Sequence, residues 1–151
     1  MLRLSRMNDY AVVVLGQLAS QPERPRSASE LAEATGLAAS TVSQVLKALA
    51  HAGLAASVRG AHGGYTADRP PGDISVAEIV LAVDGPVALT ACVDGGDCAI
   101  EATCLLRGSW DRINNAVRGA LEAVTLADML APMQDFSRFE PKDFEPQELR
   151  P

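Results

Sequence analysis

A chain of 151 residues with 48% hydrophobic side chains and a formal net charge of −6 has room for one packed domain and a short appendage. That apolar content excludes a disordered chain, and no apolar run reaches the roughly 20 residues a membrane-spanning helix requires. The charge is unevenly placed: residues 1–70 carry seven Lys/Arg and five Asp/Glu, net +2, whereas residues 71–151 carry six and fourteen, net −8. A positive front and an acidic back suit a molecule that presents one end to a phosphate backbone.

Arg3 and Arg6 followed by the apolar run 11–19 imitate a signal peptide. Asp9 at the mouth of that run and Gln17 inside it argue instead for the buried first helix, residues 8–20, of a cytoplasmic protein. Pro22 and Pro25 end it, because proline cannot continue helical hydrogen bonding. Ser27 with Glu30 three residues later forms a capping box that opens a second helix, and Thr35-Gly36 closes it. Ser40 then caps a third helix, residues 41–51.

Two short helices joined by a glycine-containing turn form a helix-turn-helix, whose second helix enters the major groove of DNA. Val42, Val45, Leu46 and Leu49 make its inner face, leaving Ser40, Thr41, Ser43, Gln44 and Lys47 to meet phosphates and base edges. An ordinary solvated helix face has the same composition. An alternating strand over 54–59, a glycine-rich tip over 60–64 and a return strand over 65–67 make a β-hairpin wing. Arg59 beside the tip is placed for a minor groove or a phosphate, and His62 reads as a phosphate or solvent contact rather than a lone metal ligand. The tip lacks the lysine and following helix of a nucleotide-binding loop.

Residues 68–73 read as an extended linker, and Ser75 with Glu78 is a second capping box opening a helix that stops at Asp84-Gly85-Pro86. Cys92, Cys98 and Cys104, the three cysteines of the chain, follow with five residues between neighbours. A six-residue step turns roughly 240° about a helix axis, so a regular helix would scatter the thiols over three faces. Asp94, Gly95, Gly96 and Asp97 favour a loop, which can gather three thiolates around one point. An iron–sulfur cluster tolerates such loop-borne spacing. A disulfide leaves one thiol over, and a zinc site wants a tighter pair and a fourth ligand. Three buried structural cysteines are the bland reading.

After Cys104 the pattern predicts one helix to about Leu130. Leu106, Trp110, Ile113, Val117, Leu121 and Val124 step by four, three, four, four and three, a narrow stripe of the coiled-coil kind that suits dimerisation. Gly119 allows a close helix crossing. The proline- and charge-rich end reads as disordered. The expected fold is therefore mainly α with a small β-hairpin wing: a winged helix-turn-helix DNA-binding domain over 1–85, a cysteine loop over 86–104, a dimerisation helix over 105–131 and a tail over 132–151.

This order of parts resembles the Rrf2 family of bacterial winged-helix regulators, which includes the IscR- and NsrR-type iron–sulfur sensors. The matching residues are Leu2 to Ser5, Asn8 to Ala11, Leu31-Ala32 through Val45-Leu46, Gly63-Gly64-Tyr65, Ile74 to Val76 with Ile79, Asp84-Gly85-Pro86 and the three cysteines. The opening residues look most like the branch that represses the SUF iron–sulfur assembly operon. The resemblance implies a homodimeric repressor that binds double-stranded operator DNA and holds a 2Fe–2S or 4Fe–4S cluster on Cys92, Cys98 and Cys104. IscR-type members carry a histidine three residues after the last cysteine, where this chain has Arg107, which cannot ligate iron. NsrR-type members use an aspartate from the partner's first helix, which here implies Asp9. Nitric-oxide sensing by the same architecture and a small iron–sulfur redox module are the alternatives. No nucleophile–base pair or paired carboxylates with supporting spacing point to catalysis.

Overall fold

The computed structural model describes residues 3–93, 104, 106 and 108–132. Three helices come first: α1, Arg6–Ala19; α2, Ala28–Thr35; and α3, Ala39–His51. The capping box at Ser27 forms, with the Glu30 amide donating to the Ser27 hydroxyl at 3.2 Å and the Ser27 amide to the Glu30 carboxylate at 2.8 Å. Gly36 ends α2 at φ 71°, the left-handed conformation that a side chain would resist. Ser40 does not cap α3. Its N-cap is Ala38, whose carbonyl accepts from the Val42 amide at 3.0 Å, so the helix starts at Ala39 and Ser40 lies inside its first turn.

The hairpin pairs β1, Ala55–Val58, with β2, Gly64–Ala67, in register Ala55 opposite Ala67 and Val58 opposite Gly64. Arg26 adds a one-residue bridge to Tyr65, exchanging two backbone bonds of 2.8 and 2.9 Å. The hairpin is thereby pinned to the segment that leads into α2. Residues Pro71–Asp73 form a 3₁₀ turn inside the linker, which is thus less extended than its sequence suggests. The capped helix α4 follows at Val76–Asp84, with both arms of its Ser75–Glu78 box present.

One apolar core joins these elements. Ala11, Val14, Leu15 and Leu18 of α1 meet Leu31 of α2, all four inner-face residues of α3, Leu54, Ile74 and Ile79. Each fully buried branched side chain contributes on the order of 1.5–3 kcal/mol. The helical periodicity that the sequence displays is what this packing uses.

The C-terminal part departs from one helix running to Leu130. Helix α5 spans Ser109–Glu122, and a second short helix α6 spans Leu126–Leu130. The break is chemical: Thr125 caps α6 through a capping box with Asp128, its hydroxyl accepting from the Asp128 amide at 3.2 Å. The residues around the break pair with the chain entering α4, through Val76 N–H to Val124 C=O and Leu126 N–H to Ile74 C=O, both 2.8 Å. Leu126 is fully buried in the N-terminal core. The chain therefore returns to the domain it left at Gly85.

Candidate nucleic-acid interface and cysteine segment

The polar residues of α3 lie on the side away from its buried one. Ser40, Gln44 and Lys47 are exposed and Thr41 and Ser43 half-buried, while Val42, Val45, Leu46 and Leu49 anchor the opposite side. Among the described residues no side chain caps the N-terminus of α3, whose first residues Ala39 and Ser40 are exposed. A helix N-terminus in that state favours an anionic oxygen through its N–H groups and its dipole.

Arg59 and His62 are both exposed at the hairpin tip. Glycine is needed there for close backbone approach. A Cβ on Gly63 would run into the Val58 carbonyl oxygen, and one on Gly64 would stand 2.6 Å from the Arg26 carbonyl. The two glycines thus let the hairpin close on itself and on Arg26, with Arg59 directly after β1.

The cysteine segment leaves α4 at Gly85. Asp84 at the last turn of α4 accepts from the Ser5 amide at 3.1 Å, the Ser5 hydroxyl at 2.5 Å and the Asn8 side-chain amide at 2.6 Å. Partial burial pushes its carboxyl up, but the hydrogen bonds from Ser5 and Asn8 outweigh that and hold it below the usual carboxylate range. This junction ties the start of α1 to the root of the cysteine segment. Asn8 turns inward at 5% exposure, and its neighbour Asp9 is exposed.

Cys92 is exposed and Cys104 half-buried, and both are free thiols. The Thr90 hydroxyl lies 3.1 Å from the Cys92 sulfur, inside a turn closed by Val93 N–H to Thr90 C=O. Cys98, the glycine-rich stretch 94–97, Arg107 and the tail beyond Pro132 lie outside the described residues. Among the described residues no group of three or more His, Cys, Asp or Glu is gathered. Free thiols on both flanks of one segment are nevertheless the donor type that iron–sulfur clusters use, so the residues present fit such a group.

Of the six stripe residues, four lie on α5. Leu106 precedes its Gly108 N-cap and Val124 follows its end. Leu106 and Ile113 are 58% and 49% exposed, and Trp110 is also open, whereas Val117, Leu121 and Val124 are half-buried. Among the described residues nothing lies within 4 Å of a Cβ at Gly119. Where α5 passes α4 a cavity of about 400 Å³ opens, bordered by Leu81, Val87, Val93, Asn115 and Arg118.

Two features of this region escaped the sequence reading. One is Asn114, the buried residue of α5, which bonds to the backbone of Val87 and Leu89. The other is the return of Val124–Leu126 onto Ile74–Val76. Asp84 was visible only as part of a helix stop, and the Thr125–Asp128 spacing is a capping signal inside an otherwise continuous apolar pattern.

Comparison with known proteins bears on this arrangement directly. Residues 4–132 match the model of the Rrf2 family, described as iron-dependent transcriptional regulators. The chain belongs to the Rrf2 family. It is similar to the HTH-type transcriptional regulator IscR of Cronobacter sakazakii, 32% identical over 130 residues that cover 85% of this chain and 80% of the relative. Among solved structures it is similar to IscR of T. potens, at 32% identity and TM-score 0.61, with 85% of this chain and 86% of the other covered. It is likewise similar to CymR, the global cysteine regulator of B. subtilis, at 29% identity and TM-score 0.66, with 85% and 96% covered. The protein is thus a DNA-binding transcriptional regulator with a winged helix-turn-helix. No helix among the described residues is long and apolar enough to cross a membrane.

Proposed function

We propose that this Rrf2 member is a cytoplasmic, homodimeric repressor of SUF-type iron–sulfur assembly genes that binds operator DNA according to the state of an iron–sulfur cluster. The observation that carries this reading is the pair of free thiols, Cys92 and Cys104, flanking the segment between α4 and α5 in a chain matched to an iron-dependent regulator family. Cys92, Cys98 and Cys104 would hold the cluster, with Asp9 of a second copy as the fourth ligand. When bound, the cluster supplies a centre whose occupancy follows iron supply and oxidants.

The chain's own residues convert that occupancy into DNA affinity. Gln44 and Ser43 read base edges, Ser40, Thr41 and Lys47 take phosphates, and Arg59 and His62 serve the wing. The apolar residues Leu106, Trp110, Ile113, Val117, Leu121 and Val124 mediate association of two copies, which sets the separation of two recognition helices at about one DNA turn. Movement of α5 reaches the recognition helix through Leu126, which is packed in the same core as Val45 and Leu49.

The test is purification without oxygen from iron-replete cells. The protein should be coloured and contain iron with acid-labile sulfide, and Cys92→Ala, Cys98→Ala or Cys104→Ala should each abolish the visible absorbance while the helices persist. Zinc in place of iron and sulfide would overturn the reading. In the same preparation Gln44→Ala should lose discrimination between operator and random duplex, on the order of 1–3 kcal/mol. Lys47→Ala should weaken binding to both and flatten its salt dependence.

A further inference from the structure

Helix α5 presents an unusual inner face. Its buried residue among those described is polar: Asn114, 3% exposed. A buried amide is costly unless its donor and acceptor are both used. Here both are used on one stretch of backbone. The Asn114 Oδ1 accepts from the Leu89 amide at 3.1 Å, and its Nδ2 donates to the Val87 carbonyl at 2.9 Å. One side chain thus engages residues i and i+2 of the segment leading to Cys92, as a neighbouring strand would.

We propose that Asn114 is a positioning residue for the first cysteine, holding the Val87–Leu89 backbone against α5 so that Cys92 approaches its ligand position at a fixed distance from that helix. This rests on the reading of Cys92 as a cluster ligand. Filling space does not explain the choice of residue, because an aliphatic side chain of similar volume would occupy the site without burying polar atoms. A carboxylate would not serve either. It could accept from Leu89, but its second oxygen would face the Val87 carbonyl with no proton between them.

The path from Asn114 to the thiol is short. Leu89 is followed at once by the turn from Thr90 to Val93, closed by a 3.1 Å backbone bond, and the Thr90 hydroxyl stands 3.1 Å from the Cys92 sulfur. Asn114 is flanked on α5 by Ile113, whose side chain is open to solvent for a second copy. A displacement of the cysteine segment and a displacement of the proposed dimer helix are therefore transmitted through the same amide.

The experiment uses the full-length chain with Asn114→Leu, the isosteric Asn114→Asp, and Asn115→Ala as a neighbouring exposed control. In the cluster-free reduced protein, hydrogen exchange at the Leu89 amide should accelerate on the order of tenfold in Asn114→Leu, and alkylation of Cys92 by iodoacetamide should accelerate to a similar extent in both Asn114 variants. Asn115→Ala should match wild type, and the thermal transition of the N-terminal core should stay in place. After anaerobic reconstitution with ferrous iron and sulfide, the Asn114 variants should show an altered visible circular dichroism spectrum and faster bleaching by a chelator.

Wild-type rates of exchange and alkylation in both Asn114 variants would overturn the proposal. So would an unprotected Leu89 amide in the wild-type protein, a measurement that needs no variant to fold. Faster exchange and alkylation combined with an unchanged spectrum and cluster lifetime would reduce Asn114 to a packing role and overturn it as well. Failure of the wild-type protein to take up iron and sulfide removes the cluster reading, and the cluster-free measurements still judge whether Asn114 holds the segment.

Discussion

The side-chain amide of Asn8 donates to the carboxylate of Asp84 at 2.6 Å, joining the first turn of α1 to the last turn of α4. Asn8 is buried, its Oδ1 has no partner among the described residues and its remaining contact to the Ser5 hydroxyl is 3.5 Å long, so Asp84 carries most of its satisfaction. Asp84→Ala should therefore cost about 1–3 kcal/mol in a urea or thermal melt at pH 7. The effect should depend on pH with a definite sign. The folded carboxyl titrates below its ordinary 3.8, so its contribution is present above that value and is lost as pH falls through the lower, folded one. The gap between wild type and Asp84→Ala should accordingly hold down to the ordinary value of 3.8 and narrow as pH falls below it. A gap that widens there would show that the junction is not held by the charged form.

The wing makes a second, local prediction. The space for a Cβ on Gly64 is taken by the Arg26 backbone at 2.6 Å, and backbone cannot swing aside as a side-chain tip can. Gly64→Ala should break the Arg26–Tyr65 bridge, destabilise the fold by about 1–3 kcal/mol and weaken DNA binding by misplacing Arg59. Gly72→Ala is the matched control, because none of the described residues lies within 4 Å of its Cβ position and its φ is not positive. It should be neutral or slightly stabilising. Equal melting temperatures for the two variants would contradict the close approach.

The contrast between what the sequence displayed and what it concealed follows a physical line. Ser27–Glu30 and Ser75–Glu78 are contacts within one helical turn, so their spacing can be read directly, and both boxes form. The four inner residues of α3 are fixed by helical period alone, and all four are buried. Ser40 misled because a hydroxyl near a helix start is also accommodated within the first turn, and what moved the start was the extended backbone of Ala38. The long C-terminal helix misled because apolar period continues through Val124, whereas the chain breaks there to pair with Ile74–Val76, fifty residues earlier in effect and invisible to any local pattern. Asn114 and Asp84 act through partners 25 to 79 residues away, so only the folded chain reveals them.

Association of two copies should rest on the open side of α5. Ile113 is 49% exposed in the single chain, so Ile113→Asp places a carboxylate in water in the monomer and in an apolar seam in the dimer. The expected result is separation of the two effects: an unchanged thermal transition of the N-terminal core, with a shift to monomers in sedimentation at micromolar concentration and loss of tight operator binding. Val117→Asp is less clean, because Val117 is half-buried already and should also lower stability. Dimers that survive Ile113→Asp would move the interface off this face of α5.

Asp9 is the residue on which the proposed fourth ligand depends, and its surroundings allow its two roles to be told apart. It sits in the first turn of α1, exposed, with neither a hydrogen bond nor an ion pair among the described residues, while Asn8 beside it is committed to Asp84. An acidic side chain in a first helical turn interacts favourably with the helix dipole, by roughly 0.3–1 kcal/mol. If that were its whole role, Asp9→Ala would lower the melting temperature slightly and change nothing else. As a carboxylate ligand it would be a hard oxygen donor, weaker for iron than thiolate and so the corner of the cluster most easily displaced. Asp9→Ala should then still assemble a cluster under anaerobic conditions but lose it faster to a chelator or to nitric oxide, with a smaller difference in operator affinity between cluster-loaded and cluster-free protein. Arg107→Ala should keep the cluster with only a modest change in lifetime, since a guanidinium cannot ligate iron. Mixing Asp9→Ala with Cys92→Ala subunits separates the two origins of the ligand. If Asp9 reaches across the dimer, a mixed dimer holds one complete site, intact cysteines facing a Cys92→Ala partner that still supplies Asp9, and one site that lacks both donors; the complete site should regain the wild-type lifetime. A mixed dimer with the lifetime of Asp9→Ala alone would place the fourth ligand within the same chain or outside the protein.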